Sequence, residues 1–160
     1  TEAGPGILCT VTGSDPLAAD TTFSVGISTR KGQIGLPTNF FFKGHEVQKF
    51  VLKIIPELIV KTLERANRGR PGARPITLDD IRLFVCHQAN SRIFEFPSKK
   101  LGIPLEKFYV NVDRRGNCSS TSVLLAMREA RDEGLIRGGD LVMAIGFGGG
   151  LTWASMLIEM

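Results

Sequence analysis

Apolar positions along the chain change period several times, and each change marks a new element. Residues 7–12 and 23–29 read as strands; in the second, Phe23, Val25 and Ile27 alternate with small or polar neighbours. Residues 30–44 carry glycines and then the aromatic run Phe40-Phe41-Phe42, a loop with one buried anchor. Val47, Phe50, Val51, Ile54, Ile55, Leu58, Ile59 and Leu63 then recur at helical spacing and define a long amphipathic helix. Pro56 removes a backbone donor from its middle, so a kink or a junction of two helices is expected there.

The connection over 65–75 is basic and rich in glycine and proline. Thr77-Leu78-Asp79-Asp80 leads from it into a strand over 81–86. A helix from Asn90 to about Leu101 follows, with Asn90 placed to cap its start and Pro97 awkward inside it. Residues 108–112 read as another strand. The segment 119–133 is a helix that turns Val123, Leu124, Met127 and Ala130 inward and stops at Gly134. Two last strands, 141–147 and 151–158, flank a triple glycine, most simply as an antiparallel pair at the end of a sheet. Strand and helix alternate, which predicts a mixed α/β layer structure, and 160 residues suit one domain.

Composition excludes more than it selects. An apolar fraction of 42% and a charged fraction of 22% belong to a globular domain rather than a disordered or fibrous chain. The net charge of +4 suits an acidic macromolecule or a phosphate-bearing ligand without naming either. Cys9, Cys86 and Cys118 lie far apart, and His45 and His87 are the only histidines, so neither a disulfide framework nor a metal site is expected. The cysteine usage makes a reduced cytoplasmic setting the expectation, and with no apolar stretch of membrane-spanning length and no leader-like start no membrane association is expected. The opening Thr1-Glu2-Ala3-Gly4-Pro5-Gly6 runs straight into a strand and reads as an entry into the middle of a larger fold. Arg68-Gly69-Arg70-Pro71 has the core of a minor-groove arginine hook. It is a single copy in a short loop, so a solvated connection and no nucleic-acid partner are expected.

Three stretches carry the candidate chemistry: His87-Gln88-Ala89-Asn90, Gly116-Asn117-Cys118-Ser119 and Phe147-Gly148-Gly149-Gly150. His87 sits where a strand ends, the place at which open α/β sheets do their chemistry. By itself it could be a base, a donor, a metal ligand or a satisfied structural residue. Asn117 in a Gly-Asn turn, and a triple glycine, are by themselves ordinary turn signals. Glycines also let backbone N–H groups approach a ligand closely enough to stabilise an oxyanion. Their combination and order are more specific than any one of them.

Together they resemble the C-terminal half of a β-ketoacyl-acyl carrier protein synthase III, a condensing enzyme of the thiolase superfamily. The likeness rests on Val85-Cys86-His87-Gln88-Ala89-Asn90, Lys99-Lys100-Leu101-Gly102, Asp113-Arg114-Arg115-Gly116-Asn117-Cys118-Ser119 and Gly146-Phe147-Gly148-Gly149-Gly150-Leu151-Thr152-Trp153. It covers essentially the whole chain, closest from Phe84 onward and looser over 1–44.

The resemblance implies a thiolase-like half of α/β class, with a mixed five-stranded sheet and helices on both faces. It implies decarboxylative condensation of an acyl group from acyl-coenzyme A with malonyl-acyl carrier protein, in fatty acid or polyketide synthesis. His87 and Asn117 would be the catalytic donors. The backbone of Gly149 would serve a second oxyanion hole, and Phe147 would pack beside the pair and shield it. Asn90 and Gln88 would lie near coenzyme A or pantetheine. Lys49, Arg92, Lys99 and Lys100 would meet the acidic carrier protein or coenzyme A phosphates. No resident cofactor is implied, since coenzyme A thioesters and phosphopantetheine are substrates. The family's nucleophilic cysteine has no match here, because Cys86 and Cys118 stand where the family carries other residues. A missing N-terminal half would supply it, the whole enzyme would be a homodimer, and this chain alone would be inactive. His45 and Gln48 replace the family's usual asparagine and phenylalanine along the coenzyme A tunnel, which leaves the acyl donor open. Two alternatives remain: an acyltransferase to a hydroxyl or amine with His87 as general base, or a non-catalytic half that pairs with a cysteine-bearing partner.

Overall fold

The computed structural model describes residues 5–17 and 43–160, and the backbone alone of 22–25 and 39–42. In chain order the strands are β1 (Gly6–Ser14), β2 (Thr22–Val25), β3 (Asn39–Phe42), β4 (Ile81–Cys86), β5 (Leu141–Gly148) and β6 (Thr152–Glu159). The helices are α1 (Gly44–Arg68), α2 (Glu95–Leu101), the single turn α3 (Val112–Arg115) and α4 (Thr121–Asp132).

The main sheet runs β1-β6-β5-β4. β4 and β5 are parallel, whereas β6 is antiparallel to both β5 and β1. The sheet is therefore mixed, as expected, but the β5–β6 pair lies in its interior rather than at its end, because β1 returns to cover β6. Asn39–Phe42, expected in a loop, pairs with β2 as a separate antiparallel ribbon. The remainder of the strand expected over 23–29, and the loop from 30 to 38, lie outside the described residues.

Among the described residues this sheet has four strands where five were expected, and the strand expected over 108–112 does not form. It is reduced to one parallel bridge between Phe84 and Phe108, with Tyr109 N–H donating to Phe84 O at 3.1 Å. Leu105–Lys107 wind as a 3-10 turn immediately before it, and α3 begins immediately after. Asn111 N–H then donates to the Gln88 side chain at 3.0 Å instead of to a strand carbonyl.

Helices cover both faces of this sheet. α1 packs on β1, β5 and β6, while α4 packs on β4 and β5 from the other side. Ile55, Leu58 and Ile59 of α1 are fully buried in the larger core. Each such side chain contributes about 1.5–3 kcal/mol relative to exposure. Ala126 and Ala130 of α4 meet Leu83, Val85 and Val142 in the smaller core. Coverage on both sides explains why β4 and β5 read as near-continuous apolar runs instead of alternating. Gly13 is required where it is: a Cβ there would stand 2.5 Å from the Trp153 indole packed over it.

Three local expectations change. α1 continues through Pro56 as one helix of 25 residues, so of the two outcomes expected there the junction of two helices does not occur. The segment after Asn90 opens as a 3-10 turn, Ser91–Phe94, and becomes α2 only at Glu95. Pro97 thus falls in the first turn of α2, where an N–H has no helical partner to lose. In α4 the fully buried positions are Ser122, Ala126 and Ala130, and Val123 and Met127 pack half-buried against the same core as expected, whereas Leu124 is 68% exposed. Gly134, at φ 74°, follows the helix end as expected.

Candidate functional site

His87 is the first residue beyond β4, and its N–H donates to Ile145 O of β5 at 2.8 Å. The backbone is thus fixed by the parallel ladder while the side chain leaves the sheet. The half-buried ring lies 4.9 Å from the Phe147 ring at 80°, edge to face. Nδ1 is 2.6 Å from Ser122 Oγ on α4. Burial holds the imidazole below its ordinary pKa, and a smaller backbone interaction at Ser119 pulls the other way. The ring is therefore neutral near pH 7, a state with one N–H to donate.

Asn117 follows Gly116, whose φ of 66° and ψ of −169° make the sharp turn between α3 and α4. The Asn117 side chain is exposed, and its Oδ1 accepts from Ser119 N–H at 2.9 Å. That bond uses the oxygen end of the carboxamide. Among the described residues no group accepts from the NH2 end. Ser119 itself adopts φ 53°, a left-handed conformation that costs a non-glycine residue about 1–2 kcal/mol. Its N–H holds Asn117, and its backbone is the group that partly offsets the lowered His87 pKa.

Phe147 and Gly149 come from the C-terminal end of β5 and the turn that follows. Gly149 is exposed, and its carbonyl accepts from Thr152 Oγ1 at 3.1 Å. Asn90 is exposed and caps the 3-10 turn through Oδ1, which accepts from Arg92 N–H at 2.8 Å. Lys49 on α1, Arg92, and Lys99 and Lys100 on α2 are all exposed, and α1 packs against α2. Lys100 Nζ stands 5.7 Å over the ring of Phe96, itself 42% exposed. His45 and Gln48 are exposed near the start of α1.

Gln88 departs from expectation. Instead of facing a ligand it is fully buried, and both ends of its amide are taken. Nε2 donates to Cys86 O at 2.9 Å and Tyr109 O at 3.0 Å, while Oε1 accepts from Asn111 N–H at 3.0 Å. It clamps the end of β4 to the 109–111 segment.

Each of the three thiols is buried or hydrogen-bonded within the fold. Cys86 is fully buried, which pushes its pKa up to about 12. Cys9 is also raised by burial, and its thiol donates to Thr62 O at 3.4 Å. The Cys118 thiol turns back to Arg115 O at 3.3 Å. Among the described residues no cluster of three or more His, Cys, Asp or Glu could hold a metal ion, and no helix is long and apolar enough to cross a membrane.

Sequence reasoning missed Ser122. Its signal was present: Ser122, Ala126 and Ala130 recur every four residues, a stripe of small residues with one hydroxyl at its N-terminal end.

Comparison with known proteins adds an independent line. Residues 73–160 match the family described as 3-oxoacyl-[acyl-carrier-protein (ACP)] synthase III, C terminal. A β-ketoacyl-[acyl-carrier-protein] synthase III from Clostridium perfringens (strain 13) is 38% identical over 164 residues, spanning 100% of this chain and 48% of the relative. One from Natranaerobius thermophilus is 44% identical over 116 residues, 72% of this chain and 33% of the relative. The solved synthase III from Thermus thermophilus superposes with a TM-score of 0.85 at 36% identity, over 100% of this chain and 47% of that one. The chain therefore spans about half the length of the curated relatives it matches.

Proposed function

Since the chain belongs to the 3-oxoacyl-acyl carrier protein synthase III family and corresponds to its C-terminal half, we propose that it supplies the decarboxylation machinery of a condensing enzyme. The N-terminal half supplies the cysteine that carries the acyl group from acyl-coenzyme A. This half then acts on malonyl-acyl carrier protein. Loss of carbon dioxide from a malonyl thioester puts negative charge on the thioester oxygen. Two fixed neutral donors, the His87 imidazole and the Asn117 carboxamide, stabilise that enolate more than the ground state. The enolate carbon attacks the cysteine thioester, and the Gly149 N–H assists the tetrahedral intermediate there. Phe147 lies edge-on to His87 and keeps water from it.

The observation that carries this reading is the Gly116-Asn117-Cys118-Ser119 turn. Ser119 N–H holds the Asn117 oxygen and leaves the carboxamide NH2 without a protein partner among the described residues, while Ser122, at the start of the helix that follows, reaches His87 Nδ1 at 2.6 Å. The reaction needs no resident cofactor, since coenzyme A and phosphopantetheine arrive with the substrates. Lys49, Arg92, Lys99 and Lys100 form the face that receives the carrier protein or its phosphate, with Asn90 beside the pantetheine arm. The working enzyme is a homodimer of full-length chains.

The test uses the full-length protein. His87→Ala and Asn117→Ala should each slow malonyl-carrier protein decarboxylation by about 10²–10³-fold, the usual cost of one oxyanion donor. Acylation of the cysteine, followed by intact mass, should stay measurable. Equal loss of both steps overturns the assignment. A wild-type enzyme that moves acyl groups to hydroxyls or amines without decarboxylating malonyl thioesters makes His87 a general base instead.

A further inference from the structure

Ser122 is 2% exposed, and its hydroxyl lies between two elements of the site. Among the described residues Oγ meets two groups: Gln88 N–H at 3.2 Å and His87 Nδ1 at 2.6 Å. An amide N–H can only donate, so Oγ is the acceptor toward Gln88. The contact to His87 has two possible directions. If Nδ1 carried a proton, Oγ would accept twice, and the hydroxyl hydrogen would be buried without a partner. If Nδ1 is bare, the hydroxyl donates to it and every group is satisfied. Only the second arrangement leaves no orphan.

We propose that Ser122 is a positioning residue that locks His87 in the tautomer with its proton on Nε2, so that the ring presents a donor and never an acceptor to substrate. The inference rests on the decarboxylation reading only for what that donor is used for. The tautomer itself follows from the hydrogen-bond count around Oγ. Both participants are anchored: His87 by the ladder bond to Ile145 O, and Ser122 by its place on the buried stripe of α4. A wrong tautomer would turn a lone pair toward the developing oxyanion and repel it.

The experiment measures ring ¹⁵N shifts of histidine-labelled full-length protein, with the His87 signals assigned by their loss in His87→Gln. At neutral pH, wild-type His87 should show a bare Nδ1 and a protonated Nε2. Ser122→Ala should shift the ring toward a mixture of tautomers. It should also lower kcat for malonyl-carrier protein decarboxylation about tenfold, with KM changed less than twofold. Ser122→Thr keeps the hydroxyl and should restore the Nε2–H signature and most of the rate. A wild-type ring protonated on Nδ1 overturns the proposal, as does a tautomer unchanged in Ser122→Ala. Should the alanine variant fail to fold, the wild-type spectrum decides. A wild-type enzyme with the Nε2–H signature but no decarboxylation would sink the reaction reading and leave the tautomer assignment standing.

Discussion

Replacing Gln88 by leucine separates two roles that the sequence alone confuses. Leucine has nearly the volume of glutamine, so the change creates little cavity and acts through hydrogen bonding. In the structure it would strip donors from Cys86 O and Tyr109 O and an acceptor from Asn111 N–H, at a position with no solvent exposure. A buried backbone group left unpaired costs about 1–3 kcal/mol, so three of them, after partial relaxation, should cost on the order of 4 kcal/mol. That is a large share of a typical domain's 5–15 kcal/mol. Urea unfolding of the unliganded full-length protein measures it as a lower midpoint at nearly constant slope.

Gln88→Glu sharpens the test. Its carboxylate can still accept from Asn111 N–H, but it would point negative charge at two carbonyls that need donors. The folded protein should therefore hold the proton of the introduced carboxyl more tightly than the unfolded chain does, raising the folded pKa above the ordinary value of about 4.3. A raised acid pKa means that stability falls as pH rises above the ordinary carboxylate range and returns on acidification. The leucine variant should show no such recovery. A loss below about 1 kcal/mol for Gln88→Leu, together with a raised KM for the acyl-coenzyme A donor, would refute the clamp and return Gln88 to ligand binding.

Two further outcomes are expected. Gly13→Ala would set a Cβ 2.5 Å from the Trp153 indole, and the forced shift should lower stability by about 1–3 kcal/mol; an unchanged thermal midpoint would mean that indole and strand are not packed together. His87, with its pKa depressed by burial, should remain neutral below the ordinary imidazole value of about 6.5. The unfolded chain then takes up a proton first as pH falls, so stability drops on acidification from that value downward until the folded ring also protonates. The acid limb of decarboxylation should lie below that value and vanish in His87→Gln, whose amide donates without titrating. An unchanged limb would assign it to another group.

Periodicity found those elements whose burial is one-sided or complete. The eight apolar positions of α1 became one helix on the sheet, and β4, β5 and β6 lie within a residue or so of their expected bounds. It failed where a local backbone choice overrode the apolar pattern. Residues 108–112 look like a strand, but the Gln88 side chain takes the N–H that a ladder would use, a long-range contact that no window of sequence contains. Leu124 looks inward by hydropathy, yet α4 approaches the sheet closely enough for alanine and serine to fit, which turns leucine outward. His87, Asn117, Phe147 and Gly149 stand out in the sequence because glycine turns and strand ends leave marks there. Ser122 and Gln88 left fainter marks, since a hydroxyl or amide that serves another residue need not sit in a turn.

The meeting of residues 87 and 147 follows from the direction of two strands. β4 and β5 are parallel and register Cys86 against Ile145, so the next residues of both strands emerge at the same end of the sheet. An antiparallel pairing would have sent Phe147 and Gly149 to the opposite end from His87. Chains leaving the carboxyl ends of parallel strands open a crevice in α/β sheets, and that is where ligands bind. The 116–119 turn adjoins this end by another route: α4 packs across β4 and β5, its first turn brings Ser122 to the His87 ring, and the turn just before it holds Asn117 through Ser119 N–H. The three motifs thus converge through one parallel register and one helix packing. Small residues at positions 122, 126 and 130 permit that packing. A bulky residue at 126 or 130 would lift α4 from the sheet and withdraw Ser122 from His87, although neither substitution touches the site.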